Sequence, residues 1–144
     1  MNPSRLLEHL LSAAVAVLFL FAAGPKIAEP AAFAEVIHAY QLTPDAAVNV
    51  LAVFFPWWEL VAALAALCVP WRRAGLWLCV AMLVLFTGAQ VINLQRGVKG
   101  SCGCFGKESK PISWSGVAFN GAFLAAAAGA LILHGRNRRD APAP

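Results

Sequence analysis

Of the 144 residues, 60% are hydrophobic and 12% charged, with 11 Lys and Arg against 7 Asp and Glu for a formal charge of +4. That balance excludes an ordinary soluble domain and describes an integral membrane protein. The basic excess carries no nucleic-acid meaning, because its charges are scattered over helix ends and short turns rather than drawn into one stripe; it reports topology instead.

Four apolar stretches approach the ~20 helical residues needed to cross a hydrocarbon core: residues 6–23, 46–67, 74–94 and 114–133. They predict an all-α, polytopic membrane protein. Residues 1–135 form a single four-transmembrane-helix bundle with a short amphipathic helix between spans one and two, and residues 136–144 form a disordered cytoplasmic tail. The first stretch follows Arg5 and ends in Ala22-Ala23-Gly24, which imitates a signal peptide. Phe21 and Leu20 occupy the places where a cleavage site needs small residues, so the stretch reads as a retained helix.

Gly24 and Pro25 predict the end of that helix, and Pro30 opens a new one. Phe33, Val36, Ile37 and Tyr40 recur at steps of three and four, the pattern of an amphipathic helix lying on the outer membrane surface. Thr43 is then expected to cap the second span with Pro44 in its first helical position. Within that span Pro56 removes the hydrogen bond to Ala52, which predicts a kink just before Trp57, Trp58 and Glu59. An ionisable group so deep in an apolar run is costly and marks a functional candidate by default. Its other reading is a structural partner for Lys26 or for a polar residue on a neighbouring helix.

Pro70 to Arg73 form a short inner turn. The third span ends in Thr87, Gln90, Asn93 and Gln95, spaced so that much of this polar stripe shares a face, and Asn120 on the last span is placed to join it. Such residues either bond helix to helix or line a ligand. The last span continues from Gly121 to Ala130 in small residues that permit close packing.

Between spans three and four the chain reads Gly100-Ser-Cys-Gly-Cys-Phe-Gly106, with the thiols of Cys102 and Cys104 one residue apart. Gly100, Gly103 and Gly106 let the backbone bend enough to bring the sulfurs together, although the spacing is cramped for disulfide geometry. Strained, exposed disulfides are the labile or catalytic ones; a static staple and half of a metal site are the alternatives. Arg96, Lys99, Lys107 and Lys110 surround the pair, and cations of this kind lower a thiol pKa from its ordinary ~8.5. Zinc needs four ligands and the loop offers two sulfurs with no histidine beside them. Cu(I) is satisfied by two thiolates, with His38 on the same outer side, though the cationic loop opposes it. No metal ligand set is assigned. Cys68 and Cys79 lie near the inner ends of spans two and three and read as small apolar packing residues.

With both termini on one side, that side holds Arg5, Arg72, Arg73, Arg136, Arg138 and Arg139, against Lys26, Arg96, Lys99, Lys107 and Lys110 on the other. The positive-inside rule and the need of a persistent disulfide for an oxidising compartment both place the termini inside and the Cys102 loop outside.

Arg96-Gly97 followed by Ser101-Cys-Gly-Cys-Phe-Gly106, together with Gly24-Pro-Lys26, Phe33 with Tyr40-Gln41, and Pro56-Trp-Trp-Glu59, resembles the MauE family of methylamine utilisation, grouped with the DoxX-like four-helix membrane proteins. The likeness runs from about His9 to Leu133. It implies a multi-pass protein of the bacterial inner membrane, associated with disulfide formation or maturation of extracytoplasmic proteins, of which the small subunit of methylamine dehydrogenase is the founding client. The architecture is also similar to the DsbB and vitamin K epoxide reductase types, whose bundles pass electrons from thiols to a quinone. This chain has one close cysteine pair and no second loop pair, so an external dithiol partner is implied.

The sequence is therefore read as a thiol:disulfide oxidoreductase with Cys102 and Cys104 as the exchanging thiols. A quinone, bound without a covalent link, is expected near Trp57, Trp58, Glu59, Gln90 and Asn93, and Lys26, Arg96, Lys99, Gly103 and Phe105 support the site. Its partners are the lipid bilayer and a periplasmic thioredoxin-like protein or cysteine-containing client. The competing reading is a non-catalytic maturation factor, or a copper-binding protein, using the same loop.

Overall fold

The computed structural model describes residues 3–98, 100 and 111–139. Five helices follow in order: α1 (Pro3–Ala28), α2 (Pro30–Tyr40), α3 (Asp45–Leu67), α4 (Arg72–Gln95) and α5 (Trp114–Arg139). All but α2 are long and apolar enough to cross a membrane. The four long helices form a ring in which α1 packs on α3, α3 on α4, α4 on α5 and α5 back on α1, while α2 lies against α3 and the end of α1.

Side-chain size is inverted relative to a soluble bundle. Ala16, Ala52, Ala62, Ala63, Ala66, Ala127 and Ala130 fill the interior, whereas Phe21, Val50, Trp77 and Ile132 stand on the outside. Lipid solvates apolar groups as well as a core does, so helices gain by bringing small residues together and leaving large ones to the acyl chains. Gly75 shows how close the contact is. A Cβ built there would meet the backbone of Ala65 and Ala66, at 2.6 Å from the Ala65 carbonyl carbon and 2.8 Å from Ala66 Cα. Backbone cannot yield as a flexible side chain does, so Gly75→Ala is expected to exceed the ~1–3 kcal/mol typical of overpacking. A thermal melt of the purified variant checks this; an unchanged midpoint would refute the close α3–α4 approach.

Three local expectations are corrected. α1 does not stop at Gly24-Pro25 but continues to Ala28. The break falls at Glu29, whose φ of −130° and ψ of 69° reflect the exclusion of a residue before proline from the helical region. Thr43 does not cap α3: Pro44 holds the cap position and no side chain bonds the first turn. At the other terminus α5 runs to Arg139, so residues 136–139 are helical where a disordered tail was expected, and Asn137 is anchored there by a side-chain hydrogen bond.

The connection between α4 and α5 is held at both of its described ends. Gly97, at φ 69°, ends α4 with its N–H on Leu94 O at 3.2 Å and the Val98 N–H on Asn93 O at 3.0 Å, the paired bonds of a glycine-terminated helix. Ser113 caps α5 by accepting the Gly116 N–H on its side chain at 3.4 Å. Gly100 O accepts the Ile112 N–H at 3.0 Å, joining the two flanks of residues 101–110.

Candidate functional site

Keeping α1 helical past Pro25 carries Lys26 into the bundle beside α3. Its Nζ lies 2.6 Å from Glu59 Oε1, with both side chains at 3% exposure or less. The same ammonium stands 4.9 Å from the Phe33 ring centre and 5.0 Å from that of Phe86, so two aromatic faces share its charge. Of the two readings of Glu59, the geometry supplies the Lys26 partner. It also leaves Glu59 Oε2 buried with no hydrogen-bond partner among the described residues.

Beneath α2 lies a cavity of about 260 Å³. α2 roofs it through Phe33, Val36, Ile37 and Tyr40, the stripe expected to lie on the membrane surface and found instead packed toward the bundle. The walls are mainly apolar, from α3 and α4, and Lys26, Thr43 and Gln90 bring polar groups to them. Thr43 Oγ1 is buried without a partner among the described residues.

The expected site residues separate into two sets. Glu59, Gln90 and Asn93 are all buried, and Gln90 lines the cavity with Lys26. Asn93 donates from Nδ2 to Ala89 O on its own helix at 2.9 Å, and its Oδ1 has no partner among the described residues. Trp57 and Trp58, by contrast, are 54% and 42% exposed and point outward to the lipid, so they do not join Glu59. On a helix, neighbours in sequence cannot share a face, and burying Glu59 turns the two preceding residues away. Arg96 reaches from the end of α4 to Tyr40 O at 3.4 Å, tying the root of the cysteine segment to the C-terminus of α2. Cys102, Gly103, Cys104, Phe105 and Lys99 lie outside the described residues.

Of the other cysteines, Cys79 is buried as expected, but Cys68 is exposed at the end of α3. His38 is engaged 3.3 Å from Asp45 across the α2–α3 turn. Among the described residues no three His, Cys, Asp or Glu side chains converge on a metal-sized site.

A second buried polar cluster closes the opposite end of the bundle and was not read from the sequence. Glu8 Oε1 lies 3.1 Å from Arg72 Nη1 and 2.7 Å from His134 Nδ1, and Glu8 Oε2 accepts from Asn137 Nδ2 at 2.6 Å. Arg72 also donates to Ala66 O and Leu67 O at the last turn of α3. One carboxylate thus joins α1, α4 and α5, with α3 held through the guanidinium. The available signal was Glu8 itself, an acid inside an apolar run, with His134 and Asn137 three apart on one face of α5. Glu8→Ala leaves a buried guanidinium uncompensated, which costs about 3–5 kcal/mol, and should sharply lower the amount of folded protein in membranes. Wild-type abundance of Glu8→Ala would show that the cluster does not hold the bundle together.

The four spans, the inverted packing and the buried polar ends define a multi-pass, all-helical membrane protein in contact with the lipid bilayer. The chain belongs to the MauE family: it matches the family described as "Methylamine utilisation protein MauE" over residues 4–133. It is similar to the methylamine utilization protein MauE of Paracoccus denitrificans, with 32% identity over 102 residues, covering 69% of this chain and 55% of that one. It is 34% identical to MauE of Methylophilus methylotrophus over 91 residues (62% of this chain, 48% of the relative). With MauE of Paracoccus versutus it shares 36% over 130 residues (89% of this chain, 70% of the relative). The chain spans about half the length of the first two relatives. No solved structure matches it.

Proposed function

We propose that this chain is a thiol:disulfide oxidoreductase of the bacterial inner membrane, acting through Cys102 and Cys104 in the maturation of extracytoplasmic proteins for methylamine utilisation. The observation that carries it is the pair of thiols one residue apart in a glycine-rich segment whose flanks, Gly100 and Ile112, are joined by a hydrogen bond. In the exchange a partner's two thiols become a disulfide while the Cys102–Cys104 disulfide becomes two thiols, so two electrons and two protons pass to the loop. The partner is a periplasmic thioredoxin-like protein or the cysteine-containing client itself.

The loop is assigned to the periplasm and both termini to the cytoplasm. Arg5, Arg73, Arg136, Arg138 and Arg139 are exposed at the termini end, whereas Arg72 and Lys26 are internal and drop out of the surface balance. A thiol pair that cycles through a disulfide also needs an oxidising compartment. In intact reduced cells a membrane-impermeant thiol reagent should label the loop cysteines; labelling only after lysis would reverse the topology.

Mass spectrometry of the purified protein tests the chemistry. The loop pair should be found oxidised, and a chain keeping one of the two cysteines should trap mixed disulfides. A reduced pair carrying a bound copper ion would overturn exchange in favour of a metal-binding maturation factor.

A further inference from the structure

The cavity beneath α2 has a chemistry of its own. Its volume of about 260 Å³ lies just below the ~300–1,000 Å³ of sites for drug-sized molecules, room for one substituted ring. Phe33, Phe55 and Phe86 offer aromatic surface, with Phe55 and Phe86 set edge to face at 5.6 Å. Besides Tyr40 and Gln90, each with an interaction of its own, Lys26 and Thr43 bring donors to the cavity. Lys26 uses one of its three N–H bonds on Glu59, and the buried Thr43 hydroxyl has no partner among the described residues. Such a site takes a flat apolar ring with acceptor oxygens at its edge. Charge narrows it further: Glu59 already neutralises Lys26, so an anion would add a second negative charge to one ammonium, whereas a neutral carbonyl compound would not. A phospholipid acyl chain would leave the Thr43 hydroxyl and the remaining Lys26 N–H groups without an acceptor.

We propose that this cavity binds the ring of a lipid-soluble quinone, its oxygens facing Lys26 and Thr43. The role given to the quinone rests on the thiol-oxidising reading; the binding does not. In that role the two loop thiols become a disulfide, and their two electrons and two protons convert the quinone to its hydroquinone. This moves the acceptor away from Trp57 and Trp58, which face lipid, to a site made by α1, α2, α3 and α4.

Equilibrium binding of decyl-ubiquinone to the full chain in phosphatidylcholine nanodiscs, measured against empty discs, tests the site. Binding should be saturable. Ala89→Phe, which fills the cavity, should weaken it at least ~10-fold, and Thr43→Val, which keeps the shape and removes one donor, ~3–10-fold. Binding no greater than to empty discs, or unaltered in folded Thr43→Val and Ala89→Phe, overturns the proposal. So does a retained phospholipid, seen by native mass spectrometry, that Ala89→Phe releases and decyl-ubiquinone does not displace. Saturable binding weakened by both variants, with the wild-type loop thiols left reduced by decyl-ubiquinone, upholds the site and overturns the thiol-oxidising reading instead.

Discussion

Cys102→Ser and Cys104→Ser should each reduce thiol-oxidising turnover to the uncatalysed background while the protein accumulates normally in the membrane. Exchange needs both sulfurs: one forms the mixed disulfide with the partner and the other resolves it. Cys68→Ala should leave turnover unchanged, because Cys68 stands exposed at the end of α3, among the groups of the termini end. Cys79→Ala should cost some stability and no chemistry, since Cys79 is fully buried in the apolar core with Leu76, Leu83 and Phe19. Oxidation rates of a reduced dithiol substrate, measured at equal membrane abundance for the four variants, make the comparison. Loss of turnover in Cys68→Ala equal to that in Cys102→Ser would remove the loop pair from its assigned place.

Much of the architecture was legible because the bilayer imposes a coarse rule. Apolar runs of membrane length mark spans with little regard to detail, and the four predicted stretches overlie the four long helices. Their ends were less legible. Gly24 and Pro25 together read as a stop, yet a helix survives a missing N–H when only one carbonyl is left over, and the break lies before Pro30. The difference matters, since the continued helix is what carries Lys26 to Glu59. Depth in an apolar run marks Glu59, whereas Glu8 stands near the start of its run, where a charged residue is ordinary. The outward aim of Trp57 and Trp58 follows from helical period once Glu59 is known to face inward. The cavity was not legible, because it arises from α2 folding onto the bundle, and an amphipathic stripe reads alike whether it rests on lipid or on protein.

Glu59→Gln should lose most of its folded protein, and Lys26→Met should do the same. Each leaves one charge buried without its counterion, where breaking such a pair costs about 3–5 kcal/mol; both side chains here are nearly inaccessible and 2.6 Å apart. Combining the two substitutions removes both charges, so the double variant should recover a large part of the lost protein. Turnover should not recover with it. On the proposed reading the pair does more than neutralise itself: Lys26 lines the cavity, and Glu59 beside it keeps an oxygen without a partner among the described residues. Methionine and glutamine remove both charges at similar volume. Membrane abundance and thiol-oxidation rate, measured side by side for the two single variants and the double, separate the contributions. A double variant that is abundant and turns over at the wild-type rate would assign the pair to holding α1 against α3 and nothing else. One that is abundant and inactive would show that the buried charged pair is kept for turnover and not only for folding.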